Sequence, residues 1–337
     1  MRDLKPLVDS YGRTIDYLRI SLTDICNFSC VYCDPPQGTA ALPINQYLSL
    51  DELERFVRAS VHMGINRIRL TGGEPTLRKD LITIVTRLKS IPGIEDLSLT
   101  TNGQRLTPLL EPLKTAGLDR INISMDSLDP RRFEAVTQSK AMHAVYESVF
   151  EALKHGFGVK VNVVAMQGLL REEILKFVAL ARDYSLEIRF LEFMPLCGES
   201  WQADLFLPIA GIRAIIQESF ELLPLSREGQ VAESYGLKDG LGRVGFIASM
   251  TESFCNTCSR FRISASGDIY PCLFSETKVS VFKILKNKLS DAELIQAIRL
   301  AAAIKPRGNN YIDKPYSKDN QDTQALIKNP LIKTIGG

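Results

Sequence analysis

A chain of 337 residues that is 45% hydrophobic can build one large α/β barrel or two ordinary domains. Its formal net charge of +2 excludes a whole-protein case for nucleic acid or a membrane surface, so an anionic ligand must be met by local arginines and lysines. No apolar run is long enough to cross a membrane, no internal repeat is visible, and residues 1–14 lack the apolar core of a signal peptide.

Short apolar or β-branched runs predict strands at 18–22, 67–71, 97–101, 120–124, 160–164 and 187–193. Helices are predicted between them at 49–63, 80–90, 108–116, 144–155 and 171–184. The first is the best marked. Ser49 and Glu52 have the spacing of a capping box, and Gly64 stands where a C-terminal cap glycine belongs. Residues 225–240 fit a loop or a hairpin equally. Strands alternating with helices imply a parallel sheet with right-handed crossovers. Six such units make a partial (β/α)6 TIM-type barrel rather than a closed eight-stranded one.

In barrels of this kind, sites gather at the C-terminal ends of the strands. A cysteine loop follows the first predicted strand. Thr71-Gly72-Gly73-Glu74-Pro75 ends the second, Thr100-Thr101-Asn102-Gly103 the third and Ser124-Met125-Asp126-Ser127 the fourth. Met166 follows the fifth and Met194-Pro195 the sixth. Each alone reads as a turn. Six strand ends on one predicted face, the cysteine loop among them, read as a site.

Two sets of three cysteines carry the chemistry. Cys26, Cys30 and Cys33 form a CxxxCxxC; Cys255 and Cys258 form a CxxC with Cys272 further on. A structural zinc site is closed by four ligands, and His62, His143 and His155 are all distant from both sets in sequence. Without a secretory signal, a reducing cytoplasmic setting is expected, where such spacings mean metal or catalysis rather than disulfides. A cubic iron–sulfur cluster takes one cysteine per iron, so three cysteines leave one iron open to a small molecule. The CxxC alone is shared with zinc sites. Cys197 has no role legible in the sequence beyond that of a buried apolar thiol.

The segments "LRISLTDICNFSCVYC" and "IRLTGGEPTLRKD" resemble the radical S-adenosylmethionine (SAM) superfamily. With "LTTNGQRL", "INISMDSLDP" and "CNTCSRFRISASGDIYPCLF" the likeness narrows to the GTP 3′,8-cyclases of molybdenum cofactor biosynthesis, and it covers nearly the whole chain. The terminal Gly336-Gly337 resembles that family too. The resemblance implies an enzyme with two 4Fe–4S clusters, one on Cys26, Cys30 and Cys33 and one on Cys255, Cys258 and Cys272. SAM would be cut to a 5′-deoxyadenosyl radical that takes the C3′ hydrogen of GTP. The product would be (8S)-3′,8-cyclo-7,8-dihydroguanosine 5′-triphosphate. Tyr32, Gly73, Ser124 and Met194 match SAM-binding positions. Arg19, Arg69, Thr100, Lys160, Arg260 and Arg262 match GTP-binding positions, and Arg260 and Arg262 share one face if their segment is extended.

The implied architecture is a radical SAM barrel over residues 1–219. A C-terminal region over 220–337 would cover the opening, carry the second cluster and thread Gly336-Gly337 toward the site. Implied partners are a flavodoxin- or ferredoxin-type electron donor, a downstream cyclic pyranopterin monophosphate synthase and a second copy of the chain as a homodimer. Two other readings stay open. One is a radical SAM peptide-modifying enzyme with an auxiliary cluster. The other is a metal-stapled scaffold without catalysis.

Overall fold

A computed structural model of the chain describes residues 6–33, 42–196, 203–226, 231–308 and 332–335. Cys197 and Gly336-Gly337 lie outside them. The first two thirds alternate as the sequence predicts: β1 (Tyr17–Ser21), α1 (Leu50–His62), β2 (Arg67–Thr71), α2 (Leu81–Lys89), β3 (Asp96–Thr101), α3 (Leu110–Thr115) and β4 (Arg120–Ser124). Two helices follow, α4 (Pro130–Thr137) and α5 (Met142–Lys154), then β5 (Gly158–Ala165), α6 (Arg171–Asp183) and β6 (Leu186–Glu192). The capping box at Ser49 and Glu52 is made, and Gly64 takes φ +97° just past the end of α1, a conformation that disfavours a side chain.

The remainder adds α7 (Ile209–Gln217), β7 (Leu222–Pro224), β8 (Glu233–Leu237), β9 (Arg243–Ile247), β10 (Arg260–Ile263), β11 (Asp268–Tyr270), β12 (Val279–Ser280), α8 (Phe282–Lys286), α9 (Asp291–Ala303) and α10 (Ile332–Ile335). The twelve strands among the described residues form one sheet in the order β12-β11-β10-β1-β2-β3-β4-β5-β6-β9-β8-β7.

Eight consecutive strands, from β10 through β1–β6 to β9, run parallel. The six predicted barrel strands are therefore extended by one parallel strand at each margin, both drawn from the C-terminal part. A strand left at either margin would present unpaired N–H and C=O groups; β9 on β6 and β10 on β1 satisfy them. β7 and β8 settle the undecided stretch as an antiparallel hairpin, with Leu225 N donating to Ser234 O at 3.0 Å.

The strands alternate in character. Leu18, Ile20, Ile68, Leu70, Leu99, Ile121, Val161 and Ile188 are almost wholly buried and join the side chains of α1, α2, α5 and α6 in one core. The residues between them are polar or charged. Parallel strands with both faces in an apolar core read as continuous hydrophobic runs. These do not, so the inner face borders a polar cavity.

Candidate active site

The first cysteine loop is anchored on three sides. Past β2, Gly73 N donates to Thr23 O (2.6 Å) and Glu74 N to Ile25 O (2.8 Å), clipping the chain just before Cys26. A Cβ on Gly73 would stand 2.1 Å from Ile25 O, so bare backbone is required there by the loop itself. The Glu74 carboxylate is 1% exposed and accepts from Thr76 N (3.0 Å), Thr101 Oγ1 (2.6 Å) and Asn102 N (2.7 Å), which joins the ends of β2 and β3. Asn102 Nδ2 donates to Asn27 Oδ1 (2.8 Å) and lies 4.0 Å from Cys26 Sγ. On the far side, Ser29 N and Val31 N donate to Thr137 O and Val136 O at the end of α4 (3.2 and 2.9 Å).

Cys26, Cys30 and Cys33 are not in disulfides. Burial pushes Cys26 up and Cys30 well up, with Asp126 and the other two sulfurs adding to the rise at Cys30. Thiolates so placed need cationic metal to hold their charge. Among the described residues no three His, Cys, Asp or Glu side chains converge as ligands of one metal ion. A cubane instead takes its thiolates on separate irons, and the donor set suits it. Tyr32 donates from its hydroxyl to Asp126 Oδ2 (2.6 Å), while Asp126 Oδ1 accepts from Val164 N (2.9 Å).

Inside the barrel is a cavity of about 1040 Å³, at the upper end of small-molecule sites. Its wall includes Tyr32, Ser124, Met194, Arg19, Arg69, Thr100, Lys160, Arg260, Arg262, Cys255, Cys258 and Cys272. Gly73 and the three cysteines of the first loop stand outside that wall. Nine Lys or Arg side chains line it against three Asp or Glu, so the cavity is strongly cationic although the chain is nearly neutral.

Strand register arranges those cations. Arg262, Arg19 and Arg69 are partners across β10, β1 and β2, and the row continues through Ser98 to Arg120. The next row holds Thr100, Asn122, Lys160 and Glu187. Register partners share a face, so each row is a band of polar groups on the inner wall.

Burial, Arg262 and Arg69 hold Arg19 well below the usual arginine range; burial and Arg260 bring Arg262 down to about 9. Glu187 serves two cations, Lys160 at 2.8 Å and Arg189 at 2.6 Å. Burial works against its charge, but Arg189 and Lys160 hold it at about 2. Lys160 falls to about 8 through burial and Arg189 in spite of Glu187. Crowded, desolvated cations of this kind favour a polyanion that neutralises several at once. The hydroxyls of Tyr17 and Thr100 are buried without a hydrogen-bond partner.

The second cysteine set closes the cavity beside β10. Cys255 opens a short 3₁₀ turn in which Cys258 N donates to Cys255 O (3.2 Å), and Cys272 follows β11. Burial resists ionisation of Cys258, but Arg260 and Lys305 bring its thiol down to about 6. That thiolate raises Arg260 in turn, against its burial. A thiolate at neutral pH is the form that ligates iron. Arg260 also lies over the ring of Phe254, 4.9 Å from its centre.

Sequence reasoning missed Tyr17, Arg120, Arg189 and Lys305 and named Asp126 only within the turn after the fourth strand, and all five are on this wall. The signal for Tyr17 and Arg189 was the alternation within "YLRIS" and "EIRFLE", where each shares a face with a charged residue two positions away. Lys305, just past the end of α9, had no such signal.

Comparison with known proteins places this site in a class. The Radical SAM superfamily model matches residues 20–181, and the Molybdenum Cofactor Synthesis C model matches 186–311. The GTP 3′,8-cyclase of Syntrophomonas wolfei is 40% identical over 320 residues, 94% of this chain and 98% of that protein. The GTP 3′,8-cyclase of Thermodesulfovibrio yellowstonii is 40% identical over 311 residues, 91% of this chain and 97% of that one. The crystal structure of Streptococcus suis SuiB superimposes with a TM-score of 0.61 over 90% of this chain and 75% of that one, at 15% identity, a likeness of fold alone. The fold and the cysteine loop are those of a radical SAM protein. Within that class, the chain belongs to the GTP 3′,8-cyclase family.

Proposed function

We propose that this chain cyclises GTP to (8S)-3′,8-cyclo-7,8-dihydroguanosine 5′-triphosphate in molybdenum cofactor biosynthesis. The observation that carries the reading is the register-aligned row Arg262–Arg19–Arg69, which runs from the second cysteine set across the cavity floor. It suits a nucleotide triphosphate with about four negative charges. Full-length relatives that bear the cyclase name support it over peptide modification, for which distant likenesses of fold speak, among them SuiB bound to precursor peptide SuiA.

Cys26, Cys30 and Cys33 would hold one 4Fe–4S cluster and Cys255, Cys258 and Cys272 the other. Bound at the first and given one electron, SAM would yield methionine and a 5′-deoxyadenosyl radical that takes hydrogen from C3′ of GTP; bonding of C3′ to C8 of the guanine would leave a radical on the base, which one further electron and a proton would convert to the product. The protein's own residues bind, orient and exclude water. Tyr32, fixed by Asp126, presents its ring toward SAM, with Ser124 and Met194 on the same wall. Gly73 acts on SAM through the loop it clips.

Arg19, Arg69, Arg260 and Arg262 grip phosphate oxygens with bidentate forks that lysine cannot copy. Lys160 and Thr100 sit one row further along β5 and β3 and contact the rest of the nucleotide. The C-terminal unit, residues 220–337, would carry the second cluster and cover the barrel opening. The product passes to a cyclic pyranopterin monophosphate synthase, electrons come from a flavodoxin- or ferredoxin-type donor, and the enzyme works as a cytoplasmic homodimer. No helix among the described residues is long and apolar enough to cross a membrane.

The test is an anaerobic incubation with SAM, dithionite and each nucleoside triphosphate in turn. GTP alone should give 5′-deoxyadenosine together with a cyclised product. Equal turnover with ATP, or 5′-deoxyadenosine without any cyclised nucleotide, would overturn the reading.

A further inference from the structure

A strap of three residues just past α9 gathers the backbone around all three cysteines of the second set. Lys305 is 3% exposed. Its Nζ donates to the carbonyl of Arg260 (2.8 Å), two residues past Cys258, and to that of Pro271 (2.5 Å), the residue before Cys272. The next two residues, Pro306 and Arg307, offer their carbonyls to Arg13 at 2.6 and 2.8 Å. Arg13 Nη1 also takes the carbonyl of Cys255 itself (2.7 Å), and its Nε is held by Asp9 at 2.5 Å. Segments from both ends of the chain thus meet at one buried node, and each cysteine segment has one carbonyl tied to it.

The electrostatics at the node are unusual for a structural lysine. A buried ammonium is normally paired with a carboxylate, because desolvation costs more than carbonyl dipoles return. The opposite charges facing Lys305 are the sulfurs of Cys258 and Cys272, and Arg260 and Arg13 add positive charge nearby. A fixed cation beside thiolate ligands, which also holds the ligand backbone, has the arrangement of an outer partner to a metal site.

We propose that Lys305 is a positioning residue for the second iron–sulfur cluster. It fixes the segments of Cys258 and Cys272 relative to each other and supplies the standing positive charge beside their thiolates, while Arg13 fixes Cys255. The inference rests on reading Cys255, Cys258 and Cys272 as cluster ligands. Positive charge close to a cluster favours its reduced form, so Lys305 raises the potential at which the second cluster accepts an electron. A lysine that served only as packing would leave that potential unchanged.

The experiment uses anaerobically reconstituted full-length protein in a Cys26→Ala, Cys30→Ala, Cys33→Ala background, where only the second cluster can form. The otherwise wild-type chain, measured alongside, should hold about eight irons and the background about four. Lys305→Met keeps the aliphatic stem and removes charge and donors. It should either lose most of its iron or hold a cluster whose reduced-to-oxidised ratio at fixed potential falls at least tenfold, about 59 mV for a one-electron couple. Lys305→Arg, which keeps the charge, should recover most of the loss. Arg13→Gln should lower iron occupancy in the same background and stands in if Lys305→Met does not fold. Background protein without iron would sink the ligand reading, and the inference with it. Background protein with its four irons, beside Lys305→Met and Arg13→Gln proteins of unchanged iron and potential, would overturn the inference alone; loss of GTP binding without either change would make Lys305 a nucleotide contact instead.

Discussion

Arg19 on β1 and Arg262 on β10 are register partners on neighbouring parallel strands, and both line the cavity. Their charges repel inside a wall that admits little water. At an effective dielectric of about 20, like charges held about 5–8 Å apart repel by about 2–3 kcal/mol. That repulsion is stored in the folded chain and released when a polyanion binds.

Replacing Arg262 with Met should therefore separate stability from function. The variant without nucleotide should unfold at higher denaturant concentration than the wild type, by about 1–3 kcal/mol. GTP affinity should fall by about 2–5 kcal/mol, as when one half of a buried charge pair is truncated. Arg262→Lys should recover only part of that affinity, because the fork is lost. Chemical denaturation and titration calorimetry with GTP measure the two effects. Unchanged affinity in the Arg260→Ala, Arg262→Ala double variant would show that neither residue contacts the nucleotide.

Gly73 offers a sharper test of how the first loop is held. A methyl group there would meet Ile25 O at 2.1 Å, and backbone on both sides must give way. Gly73→Ala should destabilise the fold by about 1–3 kcal/mol or more, as overpacking does. It should also lower iron content at Cys26, Cys30 and Cys33. A variant that kept full iron and stability but bound SAM weakly would show that the glycine serves the ligand and not the loop.

The two cysteine sets should fail independently. Cys30→Ala should abolish 5′-deoxyadenosine formation and leave about four irons, those of the second cluster. Replacing Cys255, Cys258 and Cys272 together should stop cyclisation while SAM still binds at the first cluster. In that triple variant, GTP should no longer alter the cluster's EPR signal. A preserved GTP-dependent change would remove direct contact between the second iron site and the base.

Much of this was legible because the barrel strands carry their own periodicity. All six predicted strands appear with ends moved by at most two residues, since "VKVNV" and "RIRLT" alternate strictly. Other features are settled by distant parts of the chain. α4 was hidden because Asp129-Pro130 reads as a turn, whereas Asp129 caps the helix by accepting from Arg132 N. The margins β9 and β10 are five- and four-residue strands whose pairing depends on edges formed far upstream. The requirement at Gly73 comes from Ile25, and the role of Lys305 from carbonyls of Arg260 and Pro271. No local pattern could announce either.

The last prediction concerns pH and Lys160. Burial and Arg189 bring this lysine down to about 8, while Glu187 stays ionised down to about 2. Glu187 therefore keeps its charge throughout the working range, and Lys160 is the member of this buried triad that titrates near it. Below pH 8 Lys160 is protonated and contributes a full charge toward the nucleotide. As pH rises through 8 in the free protein that charge is lost, so GTP must bring a proton with it and affinity falls. Bound polyanion raises the lysine's own pKa, so the decline should level off once pH exceeds that higher value. Glu187 does not protonate until far lower, so a change in affinity between pH 6 and 7 belongs to the terminal phosphate of GTP, which titrates at about 6, and should persist in Lys160→Met. Lys160→Met should bind GTP more weakly at pH 7 and lose the part of the decline that sets in near pH 8, leaving the part that Arg262 adds as pH passes about 9. Affinity measured by calorimetry from pH 6 to 9.5, with proton uptake read from buffers of different ionisation enthalpy, tests this directly. A wild-type profile that stays level to pH 9.5, with no proton taken up on binding, would place the Lys160 charge outside the nucleotide's reach.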